Sequence, residues 1–400
     1  MASDEQFPKD WSAFQYEIYL NGLGGTTPIL PTDLTQLEGL AEERLDPRSV
    51  GYVAGSAGDG KTARANRAAL DRWQIVPRAL RDVHARDLSV ELFGTRLPTP
   101  IALGPIGVLS LMHPDAEPGA ARAAAAHGVP FTLSTVSSVP MEDVADAMDT
   151  VAGATPERWF QLYWAKDREV TKSLLARARQ SGYRVLFVTL DTRMLAWRPR
   201  DLDYGFLPFL RGVGIANYLT DPAFQAGLAK PAVEDLNAAV LHWASMFADP
   251  TTTWDDLAFL REHWEGPIVL KGVLHPDDAR RAANAGMDGV VVSNHGGRQV
   301  NGSIGAADAL PGVVEAVGDR LTVLFDSGVR TGDDVFKALA LGARAVLIGR
   351  PYAYGLGLGG QAGVEHVLRC LLAEFDLTLA LSGYTSPAEL GPDALVRATG

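Results

Sequence analysis

The chain has 400 residues, 47% of them hydrophobic and 21% charged, with 41 glycines and 24 prolines spread along its length. This composition excludes a disordered or collagen-like polymer, and at ~150 residues per domain the length sets a prior of two or three domains. The net charge of −12 opposes contact with nucleic-acid phosphates or an anionic membrane surface, because no basic cluster offsets it.

Met1 to Asp10 is acidic and polar, without the basic and then apolar pattern of a signal peptide, and no apolar run approaches the ~18 residues of a membrane span. Cys370, the single cysteine, can form neither an internal disulfide nor a thiolate zinc site, and its apolar helical surroundings predict a packed thiol. These features suit a reducing cytoplasm, with no metal expected.

Taken in chain order, residues 1–99 contain helical stretches at Thr35–Leu45 and Thr62–Trp73. Apolar runs of strand length then begin at Ile101, Pro130, Trp159 and Val185, and after a gap at Pro267, Gly289, Leu321 and Ala345. Helical segments separate most of them: Gly119–His127, Met141–Met148, Arg168–Ser181, Pro276–Ala285, Ala306–Val317 and Gly332–Leu341. Near-continuous apolar strands alternating with helices predict a parallel sheet, and eight such units predict closure into a (β/α)8 TIM barrel. The domain prior then gives way to a single domain: a helical N-terminal extension (1–99), a barrel (100–355) and C-terminal helices (356–400). The interval 192–267, after strand four, is too long for a crossover. Its aromatics Tyr204, Phe206, Phe209 and Tyr218 predict a mobile lid that excludes water.

A barrel of this kind carries its chemistry at the C-terminal ends of the strands. Those ends hold Tyr163, Asp191, Lys271, the segment Ser293-Asn-His-Gly-Gly-Arg298, Asp326 and Arg350. His295, on a tight glycine turn, has little apolar surface to pack against. A turn histidine bonded to backbone is the bland reading, but Asp191 on another strand of the same barrel can orient and charge-stabilise it. Arg298 and Arg198 supply two guanidiniums that can hold a small carboxylate bidentately, whereas Arg200 reads as a solvated surface residue. Asp326-Ser327-Gly328-Val-Arg330 and Gly349-Arg350, at strands seven and eight, place amides and arginines where such barrels bind phosphate, and Asp326 suits hydroxyls such as those of a ribityl chain.

One motif points elsewhere. Gly55-Ser-Ala-Gly-Asp-Gly60-Lys61-Thr62 matches the phosphate-binding P-loop pattern and, taken literally, predicts a nucleotide hydrolase. A P-loop needs a buried strand before it, and Val50-Gly-Tyr-Val-Ala is short, glycine-interrupted and preceded by Asp46-Pro-Arg-Ser, a turn or helix-cap pattern.

From about Asp10 to the C-terminus the chain resembles the FMN-dependent 2-hydroxy-acid oxidases. The resemblance is carried by Ser293 to Gln299, Leu270-Lys-Gly, Gln161-Leu-Tyr, Thr189-Leu-Asp and Asp326-Ser-Gly-Val-Arg-Thr-Gly. Within that family the likeness to lactate 2-monooxygenase is carried by Tyr16-Glu-Ile-Tyr, Gly104-Pro-Ile-Gly-Val, Trp197-Arg-Pro-Arg-Asp-Leu and Phe206 to Gly212. The family has a similar glycine-rich segment without a nucleotide-binding lysine, which makes Lys61 incidental.

The resemblance implies FMN as cofactor, a short 2-hydroxy acid and O2 as reactants, and a homo-oligomer of four or more copies. It places Tyr52, Tyr163, Arg198, Arg298 and Tyr204 on the substrate and His295, Asp191, Tyr163 and Lys271 in the chemistry. Pro105, Ile106, Gly107, Ser134, Gln161, Thr189, Lys271 and Ser293 fall to the isoalloxazine side, and Asp326, Ser327, Gly328, Arg330, Gly349 and Arg350 to the ribityl and phosphate side. His295 takes a proton as two electrons leave the substrate, from carbon or from oxygen. A keto acid retained beside the peroxide is decarboxylated, giving lactate 2-monooxygenase; one that leaves first gives an oxidase releasing keto acid and H2O2. Arg193-Met194, after Asp191-Thr192, departs from the bulkier apolar pattern of that likeness and leaves the acid's size open.

Overall fold

In the computed structural model, which describes residues 9–398, the eight apolar runs pair side by side, all parallel, into a closed barrel. The strands are β1 (Ile101–Leu103), β2 (Phe131–Ser134), β3 (Arg158–Leu162), β4 (Val185–Thr189), β5 (Ile268–Val273), β6 (Gly289–Val292), β7 (Thr322–Phe325) and β8 (Ala345–Ile348). Each is followed in sequence by a helix on the outside: α1 (Ala116–His127), α2 (Met141–Asp149), α3 (Arg168–Gln180), α4 (Leu257–His263), α5 (Pro276–Asn284), α6 (Ala306–Val317), α7 (Gly332–Ala340) and α8 (Arg350–Leu381). The helices start where short polar side chains cap them. Asp167 accepts from the amides of Glu169 and Val170 at α3, and Thr331 with Asp334 forms a capping box at α7.

Alternation along the strands sorts the core into two sets, because successive side chains point to opposite faces. Ala102, Trp159, Phe187, Val269, Val291, Leu324 and Leu347 form one cluster inside the barrel, joined by Leu92 and Leu97. Their neighbours Leu103, Phe160, Leu186, Leu270, Val290, Phe325 and Ile348 pack outward against the helices. Leu92 and Leu97 belong to an antiparallel hairpin, Val90–Leu92 with Thr95–Leu97, so the extension before β1 helps fill the barrel interior.

The flanking segments are less purely helical than the sequence predicts. Besides the hairpin, Trp73–Ile75 pairs antiparallel with Leu395–Arg397, tying the extension to the C-terminal end. Before that strand the C-terminal part is dominated by one long helix, α8, beginning directly after β8 and kinked at Gly359 and Gly360. Cys370 lies buried in it, and burial pushes its thiol up to about 12. No helix among the described residues is long and apolar enough to cross a membrane, and they hold no group of three His, Cys, Asp or Glu suited to a metal. Residues 1–8, on which the signal-peptide reading partly rests, lie outside the described residues.

The 192–267 insertion is built of short helices, the longest being Leu236–Met246. Phe206, Phe209 and Tyr218 are buried. Phe209 packs on Trp243 with ring centroids 4.9 Å apart, and Trp243 on Phe247 at 4.5 Å. Phe247 also pairs with Ala165 just beyond β3. These aromatics form a packed wall on the barrel, with their apolar area removed from water.

Candidate active site

The strand ends of the barrel and the inner side of the insertion border a cleft of about 1080 Å³, its open mouth included. Tyr52, Tyr163, Arg198, Lys271, His295 and Arg298 line it, together with Pro105, Ile106, Gly107, Asp326, Ser327, Gly328, Arg330, Gly349 and Arg350. Residues from 52 to 350 in sequence thus converge on one space.

His295 is set by its turn. It adopts φ 58°, Gly296 φ 63° and Gly297 φ 79°, a run of left-handed residues that glycines accept readily and histidine only when held. The holding groups are hydroxyls and an amide: Ser327 Oγ accepts from the Asn294 and Gly296 amides, Ser293 Oγ from the His295 amide and Asn294 Oδ1 from the Gly297 amide. The imidazole Nδ1 lies 2.8 Å from Asp191 Oδ1. That contact makes Nδ1 the protonated nitrogen and leaves Nε2 as the basic atom. Burial pulls His295 below the ordinary imidazole range, with Asp191 opposing it. Burial likewise works against the Asp191 carboxylate, but His295 and Lys271 outweigh it and hold Asp191 below the usual range.

Lys271 ends 2.8 Å from Asp326 Oδ2 and donates to Ser293 Oγ. Burial opposes its charge, while Asp326 and Asp191 more than compensate, so it stays an ammonium. Asp326 also accepts from Ser327 Oγ; both its oxygens are engaged with protein groups in addition to any ribityl hydroxyl. Tyr163 and Tyr52 are both raised by burial and stand as neutral phenols.

The arginines gather along the cleft. Arg198 donates from Nε to the Arg298 carbonyl and from Nη2 to Gln299 Oε1, while Gln299 donates to the Asp191 carbonyl. Arg298 donates to the Val53 and Gly55 carbonyls. Burial, then the charges of Arg198 and Arg350, pull the Arg298 guanidinium down. This crowding of cations marks a place for an anion. Arg330 and Arg350 follow, the latter opening α8. Gly349 gives that helix no side-chain cap, but Pro351 has no N–H and the Tyr352 and Ala353 amides bond the Gly349 carbonyl, so an anion here is met chiefly by the guanidiniums. Arg330 is pulled down by burial and Arg350, and its ion pair with Glu38 is long, 3.9 Å. Arg350 donates to the same Val53 and Gly55 carbonyls as Arg298, so the cleft carries one run of cations from Arg198 through Arg298 and Arg350 to Arg330, with apolar Pro105, Ile106 and Val136 also on its lining. That run of cations fits two anions, a flavin phosphate toward Arg330 and a substrate carboxylate toward Arg198.

Three groups of expected site residues are placed differently. Tyr204 is 54% exposed and outside the cleft lining, since the short helix Pro199–Asp203 turns its ring outward beside Gly51. Ser134, Gln161 and Thr189 are buried rather than on the cleft surface; Ser134 donates to Gln161 Oε1 and Gln161 to Thr189 Oγ1, each at 2.9 Å, across β2, β3 and β4. Ser293 is likewise buried, holding Lys271 and the His295 amide. Reading the sequence misses Val136, Thr192, Leu195, Phe209 and Phe247 as cleft residues; Phe209 is noticed only as a lid aromatic, and Phe247 carries no local signal at all.

The P-loop pattern finds a structural use. Pro47–Ala54 before it is a helix, not a strand. The Ala57 amide donates to the Gly297 carbonyl and the Gly58 amide to that of Trp197. Lys61 is exposed and paired with Asp59, and its amide donates to Asn301. The segment clamps the histidine turn, leaving its amides no phosphate to cradle. Behind it, Asn66 and Asn294 exchange two side-chain hydrogen bonds, 2.8 and 2.6 Å, a buried pair that the sequence does not announce.

A family model for FMN-dependent dehydrogenases matches residues 41–397. The chain is 47% identical over 394 residues to an FMN-dependent alpha-hydroxy acid dehydrogenase of Penicillium citrinum, covering 98% of this chain and 97% of that protein. It is 41% identical over 384 residues to an L-lactate oxidase of Lysinibacillus sphaericus, covering 96% and 97%. Among solved structures, a mandelate oxidase superposes with a TM-score of 0.80 at 37% identity, over 93% of this chain and 99% of that one. With a cleft that meets the demands of the flavin, the chain belongs to the FMN-dependent dehydrogenase family and is an FMN-dependent oxidoreductase.

Proposed function

We propose that the protein oxidises a 2-hydroxy acid to its 2-keto acid with O2, releasing H2O2. The observation that carries this reading is His295, backed by Asp191, lining one cleft with Arg198 and Arg298. Arg198 and Arg298 hold the substrate carboxylate and so fix its α-carbon. The hydroxyl faces Tyr163, a neutral donor, and His295 Nε2. His295 accepts the proton at Nε2, and Asp191 stabilises the imidazolium through Nδ1. Bound FMN would supply the two-electron redox chemistry between the acid and O2; the acid gives up its hydroxyl and α-carbon hydrogens with the electron pair, one of them as the proton on His295, and both end with the electrons in H2O2. Lys271, held as an ammonium among Asp326, Asp191 and Ser293, offers positive charge to the reduced cofactor. Phe209 and Phe247 line the cleft and keep water from the reacting carbon.

The oxidase outcome is preferred to lactate 2-monooxygenase because relatives at 41–47% identity include an alpha-hydroxy acid dehydrogenase and an L-lactate oxidase. The side chain of the acid meets an aromatic wall of Tyr52, Tyr163, Phe209 and Phe247, which suits a methyl or a phenyl group, and lactate and mandelate are the substrates to try. Anaerobic bleaching of the yellow enzyme by either acid tests the first half. Product analysis under oxygen tests the second: keto acid with stoichiometric H2O2 is expected, whereas a carboxylic acid one carbon shorter with CO2 would restore the monooxygenase.

A further inference from the structure

Asp191 can orient His295 only if its own carboxylate is prevented from rotating. Its Oδ2 is buried without a hydrogen-bond partner, and Gly272 approaches it so closely that a Cβ there would come within 2.8 Å. Orientation therefore rests on Oδ1. Besides His295, the one side-chain donor that reaches Oδ1 among the described residues is the next residue in sequence. Thr192 Oγ1 donates to it at 3.1 Å and lies 3.4 Å from His295 Nδ1. The same hydroxyl neighbours the Tyr163 phenol, and the side chain is only 8% exposed.

We propose that Thr192 is a positioning residue: its hydroxyl sets the rotation of the Asp191 carboxylate and thereby the plane of the His295 ring, holding Nε2 at the substrate. The kinetic consequence rests on the 2-hydroxy-acid reading; the geometric one does not. The other charged groups acting on His295 are Lys271 from β5 and Arg198 from the insertion, which make no contact with the Thr192 hydroxyl; Tyr163, beyond β3, does, and serine at 192 keeps a hydroxyl for it. Without the threonine hydroxyl, Asp191 Oδ1 loses a donor, becomes more basic and attracts the proton of His295 more strongly.

Thr192 also lines a second, solvent-open groove with Trp164, Trp254 and Leu257, so alanine would open the site into it. Valine keeps the wall and removes only the hydroxyl, and serine restores the hydroxyl. The test uses the FMN-loaded wild type, Thr192→Val and Thr192→Ser. In Thr192→Val, anaerobic flavin reduction is expected to slow about tenfold, a part of the ~10²–10⁴-fold contributed by a general base. KM should stay unchanged and the acid limb should move to higher pH. Thr192→Ser should recover most of the rate and the wild-type limb. Independently of any turnover, the 13C-histidine signal that disappears in His295→Gln should titrate at higher pH in Thr192→Val and as wild type in Thr192→Ser. A wild-type titration in Thr192→Val overturns the proposal even if no hydroxy acid proves to be a substrate, and so does a Thr192→Ser variant as slow as Thr192→Val.

Discussion

His295 Nδ1 and Asp191 Oδ1 lie 2.8 Å apart although 104 residues separate them in sequence. One sits on a left-handed turn after β6 and the other just beyond β4, so the barrel alone brings them together. Burial holds His295 below the ordinary value of about 6.5, so the ring is neutral at neutral pH. The rate of flavin reduction by substrate should therefore rise with pH through a value under 6.5 and be lost as the pH falls and the imidazole is protonated. Stopped-flow absorbance across pH measures this. His295→Ala should keep its flavin and lose reduction by roughly 10²–10⁴-fold, and wild-type rates in that variant would remove the histidine from the mechanism.

Arg298 packs under Tyr52, its guanidinium carbon 5.3 Å from the ring centroid, and anchors to two carbonyls of the 53–55 segment. Lysine cannot reproduce that fork. Loss of charge-assisted hydrogen bonds worth about 1.5–3 kcal/mol predicts that Arg298→Lys raises KM for the acid and the Kd for oxalate by roughly 10- to 100-fold. Unchanged oxalate binding, followed by flavin difference spectra, would place the carboxylate elsewhere.

Two substitutions separate the P-loop pattern from its structural use. Lys61→Ala removes an exposed side chain and is expected to alter stability by less than about 0.5 kcal/mol and to leave turnover unchanged. Gly297→Ala forces a Cβ to within 2.5 Å of the Ala63 amide nitrogen at φ 79°, against backbone that cannot swing away. Thermal unfolding should drop well below wild type, and the histidine turn should lose activity even at temperatures where the fold survives. A silent Gly297→Ala would contradict the clamp.

Asn66 and Asn294 satisfy each other in a buried site, where Asn66 also accepts from the Ala306 amide and Asn294 donates to the Ile304 carbonyl. Asn66→Leu removes the acceptor of one Asn294 N–H and of the Ala306 amide, at a cost of about 1–3 kcal/mol for a buried unsatisfied group. Differential scanning calorimetry should show the lower Tm, while the double variant Asn66→Leu/Asn294→Leu should not add the two single losses.

The fold was readable because a barrel is written in local terms. Eight apolar runs such as Val185–Thr189 and Ala345–Ile348 are strand-length and bounded by turn residues, and helices such as Arg168–Gln180 carry their own caps. His295, Asp191, Lys271 and the arginines were readable for the same reason, as polar residues ending apolar strands. What could not be read locally is whatever depends on the direction of a side chain after the chain has closed on itself. Tyr204 and Phe209 sit five residues apart in one aromatic stretch, and the helix Pro199–Asp203 turns the first into solvent while Trp243 and Phe247 draw the second into the wall. Ser134 and Gln161 meet as register partners of β2 and β3, and Thr189 reaches Gln161 diagonally from two residues past its β4 partner Phe187. Gly55 to Thr62 spells a phosphate loop in one dimension; Gly297, some 240 residues away, makes it a clamp. Periodicity and caps act over a few residues and are visible in the string, whereas packing, register and hydrogen-bond partnership are pairwise quantities that exist only once distant residues share a surface.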